Sequence, residues 1–192
     1  MGIPPASLSD LLGMVRSWVE ARVQASSLDE AESLARQVSQ AVGQVVVQGL
    51  AAQVSGPQSY EGSSIECSCG RRARFVGYRE RAVTTLCGDV QVSRSYYHCE
   101  HCHQGHLPWD EAQGLNERLW SPGVKALVAE VASRLSYHET TLLLYRAAGL
   151  RVEESSAEAI VAEVGSRARA AEAATMGMIE SGEPLPSEAP AP

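Results

Sequence analysis

The sequence predicts an α+β fold, with helices at both ends of the chain and a small β module between them. Two observations predict this arrangement. Apolar residues recur at the i, i+3 and i+4 positions of one helix face in the first and last thirds of the chain. In the middle third the apolar period shortens, β-branched residues appear, and Gly88-Asp89 separates two extended runs.

Composition limits the classes of function. The chain has 192 residues, 44% hydrophobic and 20% charged, as in ordinary globular proteins. It has no apolar run of the ~20 residues that a membrane span requires, and its first residues do not resemble a signal peptide. A net charge of −7 argues against a uniformly basic nucleic-acid binder. Five cysteines without a secretory signal indicate a reducing compartment, so we expect a cytoplasmic protein.

Residues 1–54 are predicted to form a helical hairpin. The first helix has an apolar face made of Leu8, Leu11, Leu12, Val15, Trp18, Val19 and Val23. Ser27 and Glu30 match a capping box for the second helix, and a connection of two or three residues would make the helices antiparallel. The second helix carries a stripe of Leu34, Val38, Val42, Val45, Val46 and Leu50. We expect this hairpin to serve in packing or dimerisation, and the chain to form a homo-oligomer through it.

The rest of the chain divides by composition into four regions. Residues 55–64 are rich in Ser and Gly and are predicted to be a linker. Residues 65–117 form the β module, with strands at 72–86 and 90–98, and residues 118–178 form a helical region. Residues 179–192 are Pro-rich and are predicted to be a flexible tail.

Two close pairs of cysteines flank the predicted strands. They are Cys67-Ser-Cys69 and Cys99-Glu-His-Cys102. Thiolates bind zinc tetrahedrally, and each pair can supply two ligands from one tight turn. A hairpin that leaves one turn and returns to the other is the zinc-ribbon arrangement. We therefore predict a structural Zn²⁺ site held by Cys67, Cys69, Cys99 and Cys102, which would stabilise a module too small to fold on a core alone.

Alternatives to four thiolate ligands remain open on the sequence. The pairs could be redox-active dithiols, or a histidine could replace Cys67 or Cys69, the candidates being His98, His101, His103 and His106. A deaminase-like catalytic zinc is disfavoured because the pattern H-x-E…P-C-x-x-C is absent. Cys87 lies midway between the pairs, so we expect it far from the metal, as a partly buried small residue.

Arginine is concentrated in the β module. Residues 67–98 have a local charge of +4, whereas residues 101–192 carry 13 acidic and 7 basic side chains. Guanidinium groups bind phosphate oxygens bidentately, and tyrosines can add stacking or sugar contacts. We therefore predict DNA contacts from Arg71, Arg72, Arg74, Arg79, Arg81, Arg94, Tyr96 and Tyr97. The alternative is that these arginines pair with nearby acids on solvated strands.

The helical region is predicted to be helix-turn-helix-like. Ser121-Pro122 opens one helix, and a capping box of Ser136 and Glu139 opens the next, which ends at Gly149. A last helix runs from near Ser155 to about Met176. Its start is acidic, which phosphates would repel, so base reading by this helix is disfavoured.

The middle of the chain also carries an ordered series of motifs. These are Cys67–Gly70, Val83–Leu86, Gly88–Val92, Arg94–Cys99, Cys102, Gly105, Leu107–Asp110 and Gly114-Leu115. The series resembles the N-terminal region of ISKra-type insertion-sequence transposases, over roughly residues 60–165. The resemblance implies recognition of DNA ends by a zinc ribbon and a helix-turn-helix, followed by an RNase-H-like domain with three metal-binding carboxylates.

The resemblance sets the expected function. A catalytic domain of that kind needs a couple of hundred further residues, so we expect this chain to lack the active site, to have no catalytic residues and not to be an enzyme itself. Its expected partner is double-stranded DNA at insertion-sequence ends, with no membrane, in the prokaryotic cytoplasm and on the nucleoid when DNA-bound. It would be a truncated copy, a separate fragment or a domesticated protein. The alternative is a zinc-stabilised structural, protein-interaction or regulatory protein.

Overall fold

The α+β class is confirmed by a computed structural model, which describes residues 5–115 and 119–181. Over these ranges it contains six α-helices and one four-stranded antiparallel sheet. None of these helices is both long and apolar enough to cross a bilayer. The predicted flexible tail falls outside the described residues, apart from its first positions, which belong to the last helix.

The N-terminal hairpin consists of α1 (Pro5–Arg22) and α2 (Leu28–Val54). Residues 23–27 join them, a longer connection than predicted. The Ser27 hydroxyl accepts from the Glu30 N–H at 3.2 Å, as the capping box requires. The Glu30 carboxylate, however, accepts from the N–H and hydroxyl of Ser26 instead of the Ser27 N–H. One hydrogen bond of the predicted capping box is therefore present, and the other goes to Ser26 instead of Ser27.

The sheet has the order β1-β2-β3-β4. Its strands are β1 (Ser64–Glu66), β2 (Arg72–Thr85), β3 (Gly88–His98) and β4 (Gly105–His106). The two long strands form the predicted hairpin, with Thr85 opposite Gly88 at the turn and a bulge between Phe75 and Gly77. The two outer strands are too short for a residue pattern to reveal them.

The segment predicted as a linker is instead packed on β3. Gly56–Ser59 forms a 3₁₀ turn, and Ser59 is buried. The Ser59 hydroxyl accepts from the Ser95 N–H at 2.9 Å, and its carbonyl accepts from the Ser95 hydroxyl. Composition alone treats serine and glycine as solvated, but here a serine satisfies a buried backbone group of the sheet.

The C-terminal half contains α3 (Pro108–Ala112), α4 (Pro122–Ala132), α5 (Tyr137–Ala148) and α6 (Glu154–Ser181). The caps predicted at Ser121 and Ser136 are present, and Gly149 ends α5 with a φ of 66°. Because α6 begins at Glu154, Ser155 lies inside its first turn and does not cap it. The last three helices share one core, which contains Val124, Val128, Leu144, Leu150, Val152, Ala157 and Ile160.

Hydrogen bonds join this helical core to the rest of the molecule. The Thr84 N–H in β2 donates to the Leu119 carbonyl, and the Ser121 N–H donates back to the Thr84 carbonyl. Lys125 is buried, and its Nζ donates to the Gly114 carbonyl and to the Glu163 carboxylate, each at 2.8 Å. The sheet and the helical region are therefore continuous in space.

Candidate metal centre

The first cysteine pair lies in a tight turn between β1 and β2. The Gly70 N–H donates to the Cys67 carbonyl at 2.9 Å, and the Cys67 N–H donates to the Arg71 carbonyl at 2.8 Å. Gly70 has a φ of 76°, a conformation that a residue without a Cβ adopts most easily. This turn directs the side chains of Cys67 and Cys69 toward the second pair.

The second pair lies in a similar turn between β3 and β4. The His103 N–H donates to the Cys99 carbonyl and the Cys99 N–H donates to the Gln104 carbonyl, both at 2.9 Å. His103 takes the left-handed conformation here, with a φ of 58°. Because β2 and β3 are antiparallel partners and each pair adjoins one end of this hairpin, the two turns meet at the same end of the sheet.

The four predicted ligands converge on one point. The sulfur atoms of Cys67, Cys69, Cys99 and Cys102 all lie within 4.8 Å of one another. Cys67 and Cys102 Sγ are 3.5 Å apart, and Cys69 and Cys99 Sγ are 3.7 Å apart. A tetrahedral ion with metal–sulfur bonds of about 2.3 Å requires sulfur–sulfur edges of about 3.8 Å. All four thiols are free of disulfides, so the cluster fits a metal ion.

The thiols of Cys99 and Cys102 differ in acidity before a metal binds. Backbone N–H groups of Cys102 and His101 favour the Cys99 thiolate and, against the effect of burial, lower the pKa of Cys99 to about 6. The Gln104 N–H acts in the same direction on Cys102, but burial and hydrogen bonds with the neighbouring thiols outweigh it and raise the pKa of Cys102 to about 12. A metal ion that binds near neutral pH must therefore displace protons from this cluster.

The histidines lie around the cluster rather than in it. Among the described residues, the group of side chains placed to share one ion contains only the four cysteines. His106 contacts one of the ligands. Its Nε2 lies 3.2 Å from Cys67 Sγ, a distance at which a ring N–H can donate to a thiolate. The rings of His98 and His103 face each other at 6.2 Å. Sequence reasoning treated these histidines alike and did not single out His106.

Cys87 is half-buried at the opposite end of the hairpin, as predicted. It lies in the turn between Thr85 and Gly88 and packs beneath α2. The contact is close: a Cβ added at Gly43 of α2 would lie only 3.0 Å from Cys87 Sγ. Its role in this structure is packing against a glycine of the helix.

Four of the arginines predicted to contact DNA are exposed: Arg71, Arg72, Arg74 and Arg79. The first three follow the Cys67–Cys69 turn directly. The Arg72 guanidinium donates to the hydroxyl and carbonyl of Ser64, both at 2.7 Å, and Arg74 Nη1 lies 3.7 Å from a Glu100 carboxylate oxygen. The Arg79 guanidinium lies 5.2 Å from the centre of the half-buried Tyr96 ring.

Three other residues of the predicted DNA-contact set lie elsewhere. Arg94 is only 4% exposed and pairs with the carboxylate of Asp110. Arg81, half-buried, reaches the same carboxylate at 3.4 Å. Tyr97 is fully buried, and its hydroxyl accepts from the Glu61 N–H at 2.8 Å. Arg94 and Tyr97 therefore leave the set of candidate DNA contacts, because a buried side chain cannot reach a phosphate.

Sequence reasoning missed the role of Asp110. Its carboxylate is the shared partner of Arg81 and Arg94, so it holds the start of α3 against β3. Arg94 and Asp110 both belong to the ordered series of motifs in the middle of the chain. The presence of a basic and an acidic residue in that series was the sequence signal that could have predicted their pairing.

Comparison with protein-family models gives no match for this sequence, and neither does comparison with curated proteins.

Proposed function

We propose that this chain is a DNA-binding protein in which a zinc-bound ribbon positions arginines against the phosphate backbone, as in the N-terminal region of the ISKra-type transposases that its motifs resemble. The observation that carries the proposal is the convergence of four thiols directly beside exposed Arg71, Arg72 and Arg74. No catalytic role is proposed for any residue of the chain.

Zinc is the metal that this donor set favours. Four sulfur ligands in a compact tetrahedral arrangement are typical of structural Zn²⁺ sites. The ligand shell would be closed, with no position left for a water or substrate. Its effect would be to hold the two turns together and so fix the first part of β2.

The metal and the arginines are connected through the backbone. The Cys67 N–H donates to the Arg71 carbonyl at 2.8 Å, so a metal that fixes the Cys67–Cys69 turn also fixes the point where the Arg71 side chain leaves it. The Arg72 side chain is already held by Ser64. A surface with pre-positioned guanidinium groups binds phosphate with less loss of side-chain entropy than mobile lysines would.

The test is a fluorescence-anisotropy titration of the zinc-loaded chain with two duplexes of equal length. One carries a terminal inverted repeat of an ISKra-type insertion sequence, and the other a scrambled sequence. We expect tighter binding to the inverted repeat, and affinity for both duplexes that falls as salt rises from about 50 to about 200 mM. Equal affinity for the two duplexes would contradict end recognition, and affinity independent of salt would contradict DNA binding altogether.

A double variant, Arg71→Ala with Arg74→Ala, tests the surface itself. Each lost phosphate contact should reduce the slope of log affinity against log salt by about 0.9. Arg72 is left intact because it also holds β1. Arg134→Ala is the matched control. Arg134 carries the same charge, its side chain is 73% exposed, and it lies just after α4, far in sequence from the cysteine turns. An unchanged slope in the double variant would remove this surface from the proposal.

The second candidate is a zinc-stabilised structural or regulatory protein without DNA contacts. The exposed Glu153, Glu154 and Glu158 at the start of α6 favour it, because they place negative charge where a recognition helix would meet DNA. This candidate predicts a stable zinc-bound fold together with no binding to either duplex.

A further inference from the structure

The side of α2 that faces the rest of the chain carries polar side chains together with Val47 and Ala51, which pack against a hydrophobic cluster of the sheet. Four residues at four-residue spacing donate side-chain hydrogen bonds to backbone carbonyls of α5 and β3. Their distances are 2.6–2.8 Å, and the donors are Arg36, Gln40, Gln44 and Gln48. This side of the helix is occupied by the chain's own backbone.

The opposite side of α2 is apolar and open. Together with α1 it forms a groove of about 770 Å³, lined in part by Met14, Val15 and Trp18 of α1 and by Val38, Val42 and Val45 of α2. Met14 is 71% exposed and Val45 is 73% exposed. No residue of the 27-residue α2 is buried. An amphipathic helix normally buries its apolar face, so this arrangement leaves the apolar face for a second molecule.

Charge argues against DNA and membranes as the occupant of this groove. Residues 37–60 contain no charged side chain at all, so this part of α2 offers nothing to a phosphate backbone. A helix that lies in a membrane interface carries Lys and Arg on its polar face. The polar face of α2 carries Arg36 and three glutamines, and all four side chains are bound to backbone carbonyls of the chain.

We propose that the groove between α1 and α2 is a homodimer interface in which a second copy of the same hairpin packs to form a four-helix arrangement. An uncharged apolar surface is compatible with itself across a two-fold axis, which is what an isologous interface requires. The helices have 18 and 27 residues, and so span about 27 and about 40 Å. Both helices line the groove, so a second copy that fills it would cover the apolar faces of both.

The proposal does not depend on DNA binding, and its test uses the zinc-loaded full chain without DNA. Sedimentation velocity over about 1 to about 100 µM should give twice the 20.5 kDa mass of one chain. Val45→Glu and, separately, Met14→Glu should raise the dimer dissociation constant at least about tenfold, because each places a charge in the apolar interface. Ser39→Glu is the matched control, since Ser39 is exposed on α2 outside the groove.

Two outcomes would overturn the proposal. One is a monomer at every concentration, and the other is a dimer that neither groove variant weakens. Circular dichroism and zinc content, measured on each variant, confirm that the monomer is folded; Val45 and Met14 are exposed in the single chain, so their replacement removes none of its core. A dimer that breaks as expected while DNA binding fails would leave this proposal standing without the proposed function.

Discussion

Arg94 and Asp110 form a buried ion pair that joins β3 to α3. Their side chains are 5% and 7% exposed. Removing one partner of a buried ion pair leaves the other charge without compensation, at a cost of about 3–5 kcal/mol. We expect Asp110→Ala to lower the free energy of unfolding by about that amount, measured by chemical denaturation. Glu111→Ala, one residue away and exposed, is the control. A change below about 1 kcal/mol would mean that the pair contributes little.

The Glu139 carboxylate gives a prediction about pH. Hydrogen bonds from the Ser136 hydroxyl and the Ser136 N–H lower the pKa of Glu139 below its ordinary value of 4.5. The pKa is therefore lower in the folded chain than in the unfolded one. This contribution to stability is fully present above pH 4.5 and is lost as the pH falls through the lower folded value.

Glu139→Gln removes the charge and keeps the size of the side chain. The difference in stability between wild type and this variant should be largest near neutral pH and should shrink as the pH falls below 4.5, as measured by denaturation at a series of pH values. Glu172→Gln, in the exposed part of α6, serves as the control. A difference that does not change with pH would show that the capping carboxylate contributes through packing alone.

Among the secondary-structure elements, α2 protects the edge of β3. The Gln48 side-chain amide pairs with Gln91 as a strand would, accepting from its N–H at 2.7 Å and donating to its carbonyl at 2.8 Å. Gln48→Ala would leave both groups of Gln91 without this partner, and because these hydrogen bonds are exposed and water can replace them, we expect a loss of about 0.5–1.5 kcal/mol. The measurement is denaturation, together with faster amide exchange at Gln91. Gln53→Ala, exposed near the end of α2, should change neither.

The elements differ in how far the sequence could predict them. Some elements depend on local chemistry, so the residues at those positions are enough to predict them. These are the helix caps at Ser121, Ser136 and Gly149 and the β2–β3 hairpin. The direction in which α2 faces depends on which long-range hydrogen bonds form, and a hydrophobic stripe carries no such information. For the same reason the packing of Ser59 on Ser95 was not predictable.

The residues of the candidate site also differ in how far the sequence could predict them. The spacing of the cysteines was sufficient to predict that they converge, since two turns that adjoin one end of an antiparallel hairpin must lie together. Which arginines are exposed was not predictable, because it depends on the position of Asp110 beneath Arg94. Proximity in sequence to the cysteines was the better guide, as Arg71, Arg72 and Arg74 show.

Across residues 5–115 and 119–181 the hydrophobic core is divided into three clusters. The cluster at the metal end contains Cys67, Ala73, Tyr97 and Cys99 as its buried members, with Ile65, Phe75 and Cys102 against them. It contains few aliphatic side chains, so a bound metal would supply cohesion that apolar burial does not. The cluster of α4, α5 and α6 shares no residue with it.

This division predicts a local response to metal removal. Chelation of the zinc-loaded chain, or Cys99→Ser, should increase amide exchange about tenfold or more in residues 64–75 and 95–106, because the two turns lose their common centre. Exchange in residues 122–164 should not change, since that core is built from other residues. The N-terminal helices should also stay helical. Cys87→Ser is the matched control, because Cys87 lies at the far end of the hairpin. Full metal content and unchanged exchange in the Cys99→Ser chain would show that this sulfur is not a ligand.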